Sequence, residues 1–180
     1  MNNDRSITDR HQYVTKTLLS QGPLMQIIQN PNYLPTAEQI LILSKYLANT
    51  VQSGVEGSLN IITVENVKVL LEFVQLRSPL TLGELLTALH VLETLLRKCR
   101  QKNDNTVSAE NFGTALVCIF IVTLKFLRDI PYRNSWWAQK FNMNLQTINE
   151  SEVVILQLMD WQMWMSDKSF IRFYSRVFRL

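Results

Sequence analysis

The segment from Phe112 to Leu127 carries one charge, Lys125, and is apolar at nearly every angle around a helix. A helix without a polar face has to be enclosed by protein or by lipid. Its longest apolar stretch, Ala115 to Phe126, is broken by Thr123 and Lys125 and falls short of the roughly 20 residues that a membrane span needs. The expectation is therefore a central buried helix, and the rest of the chain has to supply its surroundings.

Those surroundings read as further helices. Apolar residues make up 47% of the 180 residues and charged residues 18%, fewer charges than the roughly 25% of an average soluble domain, so much of the chain is expected to be buried or partner-facing. Five glycines and five prolines are too few for the closely spaced turns of an all-β protein. Thr36-x-x-Gln39 and Thr81-x-x-Glu84 are capping boxes, opening helices with inward stripes Ile40, Leu43, Leu47, Val51 and Leu82, Leu85, Leu86, Leu89, Leu92, Leu96. The first is expected to end near Gly54, before a loop to Asn60, and the second near Arg100, where Arg97, Lys98, Arg100 and Lys102 suit the helix dipole. Between them, Thr63 to Arg77 places Val67, Leu70, Leu71 and Val74 on one face.

Downstream, Ser108 is expected to cap the central helix, a short helix to span Asn134 to Phe141, and Thr147-x-x-Glu150 to cap a helix ending near Trp161. A last helix, Lys168 to Arg179, sets Phe170, Ile171, Phe173, Tyr174, Val177 and Phe178 against a basic face of Lys168, Arg172 and Arg176. Residues 1–35, with a short helix from about His11 to Ser20, read as a partly ordered extension of a single domain over residues 36–180. About seven helices, one ringed by the others, make an all-α orthogonal bundle.

Chemistry is harder to find than structure. His11 and His90 are the only histidines, neither is near a cysteine in sequence, and no Cys-x-x-Cys or His-x-x-x-His spacing exists. His90 reads as a satisfied packing residue, and no glycine loop suits a phosphate. The expectation is a protein that is not an enzyme and holds no cofactor or metal. Cys99 and Cys118 lie in apolar helical segments and no secretory leader is evident, which predicts a reduced, intracellular protein of nucleus or cytoplasm. A net charge of +3 does not by itself predict nucleic-acid binding.

Two charges stand where apolar residues are expected. Lys125 interrupts the central helix, and Glu152 shares a face with Ile148, Ile155, Leu156 and Met159. Patterning allows two accounts: Lys125 reaches water and Glu152 pairs within the chain, or both meet a partner.

The run Thr123-Leu-Lys-Phe-Leu-Arg-Asp129, then Tyr132-Arg-Asn-Ser-Trp-Trp-Ala138, Ile148-Asn-Glu-Ser-Glu152 and Met159-Asp-Trp161 resembles the second half of a cyclin box. It is most similar to the fungal phosphate-response (Pho/Pcl-type) cyclins. The resemblance implies a five-helix box over about residues 63–161 around the central helix, with flanking N- and C-terminal helices. It also implies a regulatory subunit that binds and activates a cyclin-dependent kinase, with Lys125 and Glu152 on the kinase-facing surface and Asp129 placed to meet a kinase arginine. The same resemblance puts Trp137 and Trp161 in packing positions and leaves Trp136 and Trp164 as extra, at least one of them exposed. A Met-Arg-Ala-Ile-Leu-like substrate-docking motif is missing from the first box helix, where Glu65-Asn-Val-Lys-Val-Leu70 stands. The alternative is a cyclin-fold adaptor that binds proteins or nucleic acid without a kinase, using the two basic clusters.

Overall fold

The computed structural model describes residues 27, 30 and 32–179, so the helix expected at His11 to Ser20 lies outside the described residues. Among the described residues every regular element is a helix: α1 (Ala37–Gly54), a 3-10 turn (Ser58–Asn60), α2 (Val64–Arg77), α3 (Leu82–Lys102), α4 (Phe112–Leu127), α5 (Asn134–Phe141), α6 (Leu145–Leu158) and α7 (Asp167–Phe178).

Local chemistry explains most starts. Both capping boxes form: Thr36 Oγ1 accepts from the Gln39 amide at 3.2 Å while Gln39 Oε1 accepts from the Thr36 amide at 2.8 Å, and Thr81 and Glu84 repeat the exchange. Each satisfies backbone donors that a helix start otherwise leaves open. Thr63 caps α2 through the Asn66 amide. Two expected caps differ. Ser108 heads the turn before α4, exchanging bonds with Asn111, and the residue at the helix boundary is Asn111, without a side-chain cap. The α6 cap is Asn144, whose Oδ1 accepts from the Thr147 amide at 3.1 Å, so Thr147 lies inside the first turn.

Apolar faces then decide the packing. Helix α4 is buried at every residue from Ala115 to Leu124 and packs against α3 and α6. Helix α3 also touches α1, α6 and α7, while α2 lies on α1 and α5 on α6. The expected stripes of α1 and α3 are buried throughout, and in α2 only Leu70 of the expected face is partly open. Trp137 is enclosed, in an aromatic chain from Trp136 through Phe141 to Phe73 on α2. Trp161 is not: Asp160 and Trp161 both take left-handed backbone angles (φ 51° and 59°), and that turn leaves the indole 64% exposed.

The basic end of α3 also acts differently from a simple complement to the dipole. Lys98, almost buried, reaches Asp160 Oδ2 at 2.5 Å, and Lys102 reaches Asp160 Oδ1 at 2.7 Å and the Leu158 carbonyl at 3.0 Å. These bonds pin the end of α6 to α3, and they hold the Asp160 carboxyl down to about 2.

Enclosure of α4 predicts that substitutions on its different sides both destabilise. Leu116→Ala is expected to cost about 2–5 kcal/mol, and Cys118→Asp, which buries a carboxylate, at least as much; thermal melts read both. A depressed carboxyl pKa stabilises the fold above its unfolded value, and this part is lost as pH falls through the folded value. The stability contributed by Asp160 is therefore expected to disappear between about pH 4 and about pH 2. Urea unfolding of Asp160→Asn across that range should show a shallower pH slope than the wild type.

Candidate functional site

The last turn of α4 carries Lys125 onto the surface beside α6, where Glu152 stands. Lys125 Nζ lies 2.6 Å from Glu152 Oε1 and 2.8 Å from Oε2. The lysine side chain is 36% exposed and the glutamate 14%. Glu152 has a second partner, because Asn134 at the start of α5 donates from Nδ2 to Glu152 Oε2 at 2.6 Å and to Asn149 Oδ1 at 2.8 Å. The two charges that patterning singles out are thus brought together, by residues 27 positions apart in sequence. A surface ion pair of this kind contributes only about 0–1 kcal/mol to folding stability.

Two arrangements hold this pair in place. Arg128, just past α4, grips Glu84 of α3 in a fork, Nε to Oε1 at 2.5 Å and Nη2 to Oε2 at 2.8 Å, and donates to the Pro79 carbonyl at 3.0 Å. Glu84 is also the capping-box residue of α3, so one carboxylate ties the start of α3 to the end of α4. On the other side, Tyr132 stacks on Trp136 with ring centroids 4.0 Å apart, and Trp136 meets the buried Trp137 edge-on, which seats α5 and with it Asn134.

Exposed apolar side chains flank the pair along the same elements: Phe126, Leu127 and Ile130 at and beyond the end of α4, and Leu145, Val153 and Val154 on α6. Ile130 is 92% exposed. Asp129 is exposed between them and makes no hydrogen bond or ion pair among the described residues. Asn134 was not a candidate from residue type alone; its place in the Tyr-x-Asn motif was the available signal. Its Oδ1 is buried with no donor among the described residues.

The other candidates separate from this site. No group of three or more His, Cys, Asp or Glu among the described residues could hold a metal ion. Cys99 and Cys118 are free and buried, and burial pushes the Cys118 thiol up to about 11. His90 packs edge-on against Phe173, but its Nδ1 is buried without a partner among the described residues, so it is not the satisfied histidine expected. On α7, Lys168 and Arg172 are exposed, whereas Arg176 bonds Glu93 of α3 at 2.6 Å and lies over the rings of Tyr46 and Phe173. No helix of the described residues is long and apolar enough to cross a membrane.

No curated protein and no solved structure gives a significant match to the chain. A family model described as Cyclin does, over residues 11–163, a span that contains α1 to α6 and with them the enclosed α4 and the Lys125–Glu152 pair. All-helical architecture around a buried central helix and a family match over most of the sequence agree: the chain belongs to the cyclin family, whose members are regulators rather than catalysts and bind cyclin-dependent kinases.

Proposed function

We propose that this chain is the activating subunit of a cyclin-dependent kinase of the phosphate-response type, docking through the surface formed by the end of α4 and the outer face of α6. The observation that carries this reading is the Lys125–Glu152 pair, a polar centre set among exposed apolar side chains. Such a surface, apolar with a few directed polar groups, is the usual anatomy of a protein interface. Residues 36–180 act as one domain, and the box is residues 63–161.

In this reading Lys125 and Glu152 exchange part of their mutual bonding for groups of the kinase's regulatory helix. Asn134 keeps its bond to Glu152 Oε2 and so holds that carboxylate in place for docking. Asp129, with no partner of its own among the described residues, meets a kinase arginine. Docking then fixes the regulatory helix so that its glutamate pairs with the ATP-binding lysine, an arrangement that kinase activity requires. Moving such an equilibrium from 1:99 to 99:1 takes about 5.5 kcal/mol of differential binding, well within what one interface supplies.

A phosphate-response kinase assayed with and without this chain tests the reading. Stimulation is expected with the wild type. Lys125→Ala and Glu152→Ala should each weaken binding by about 2–5 kcal/mol, or roughly 30-fold to several thousand-fold, while circular dichroism remains that of a folded protein. Asp129→Asn should have a smaller effect, since its carboxylate is exposed. Unchanged affinity in the Lys125 and Glu152 variants would remove this surface from the interface, and the absence of any kinase binding or stimulation would favour the adaptor that works without a kinase.

A further inference from the structure

The basic cluster at the end of α3 divides into two pairs with different surroundings. Lys98 and Lys102 are consumed by Asp160, while Arg97 and Arg100 make no side-chain hydrogen bond or ion pair among the described residues. Spacings of three and four residues put His90, Glu93, Arg97 and Arg100 in one row along α3. That row forms one wall of a cleft of about 550 Å³, closed by the chain after α6, including Trp164, and by Arg176 from α7. Neither Lys168 nor Arg172 is among its walls.

Charge in the cleft is uncompensated. Three guanidinium groups face it against one carboxylate, Glu93, which is already bound to Arg176 at 2.6 Å. Burial pushes the His90 imidazole toward its neutral form, so it does not add to the repulsion. Like charges at three-residue spacing destabilise a helix unless something answers them, and guanidinium pairs are suited to forked recognition of phosphate. The remaining lining is mixed: Thr94 and Gln162 are polar, Met159 and Met163 are buried, and the Trp164 indole is 77% exposed.

We propose that this cleft binds a phosphorylated serine or threonine side chain of a protein segment, with Arg97 and Arg100 on the phosphate and an adjoining apolar residue against Trp164. A phosphate monoester carries close to two negative charges at neutral pH, which matches the two guanidinium groups left without a counter-charge. Nucleic acid fits less well, since it needs cationic groups tracking along a strand, and here they converge on one cleft. The site is separate from the surface of Lys125 and Glu152, and the proposal does not depend on kinase docking.

The test uses the full chain without kinase. Fluorescence anisotropy is measured with a labelled, degenerate peptide pool centred on phosphothreonine, with the same pool unphosphorylated, and with a labelled oligo-dT strand. The wild type is expected to prefer the phosphorylated pool by at least about tenfold, the scale of a charge-assisted forked contact. Arg97→Gln/Arg100→Gln should abolish that preference, and Arg97→Lys/Arg100→Lys should restore only part of it. Both positions are exposed and unpaired among the described residues, so the double variants are expected to melt as the wild type does. Trp164→Ala should weaken the phosphorylated pool while leaving the fold intact. Equal affinity for the two pools, a preference for oligo-dT, or an unchanged preference in the Gln variant would each overturn the proposal.

Discussion

Burial of α4 on every side is the condition on which the rest of the architecture rests. A helix with no polar face is stable in water only if others enclose it, and α3 and α6 do so directly while α1 and α7 close over α3. Residues outside the central helix are positioned by that requirement. Glu84 shows how: it caps α3 and also grips Arg128, so the start of one helix and the end of the next are held by a single carboxylate. The Lys98–Asp160–Lys102 arrangement does the same for the other end of α3 and the end of α6.

The proposed docking surface sits where enclosure stops. At its last turn α4 leaves the core, and Lys125, Phe126 and Leu127 become exposed within three residues of the buried Leu124. Glu152 arrives beside them because Ile148 and Ile155, on the same helix, are anchored in the core. The polar pair is thus presented on rigid elements rather than on a loop, which is what a docking surface needs to hold a partner's helix in one geometry. The cleft lined by Arg97 and Arg100 lies at the opposite end of α3 from Glu84 and draws its third wall from α7, so the two surfaces are built from different parts of the bundle.

Much of this was legible in the residues. The stripes of α1 and α3, their capping boxes, the bounds of α5 and the enclosure of α4 all follow from local spacing, because helix periodicity and N-capping are short-range effects. The misreadings were also local in origin. Ser108 and Thr147 have the right chemistry for a cap, but the chain enters α4 through an extra turn, and Asn144 three residues before Thr147 takes the α6 cap. Trp161 was expected in the core, and two consecutive left-handed residues turn it outward; no apolar pattern records the direction of such a turn.

Periodicity and composition by themselves determined that the chain is all-helical, that one helix is central, and that Lys125 and Glu152 are out of place in apolar surroundings. Tertiary structure alone decided what those charges meet. It paired Lys125 with Glu152 and brought Asn134 to the same carboxylate, sent Lys98 and Lys102 to Asp160, gave Arg176 to Glu93, and left Arg97 and Arg100 facing a shared cleft. The physical reason is range: a helix is set by neighbours three and four residues away, whereas an ion pair between residues 27 to 83 positions apart exists only once packing has fixed how the helices cross.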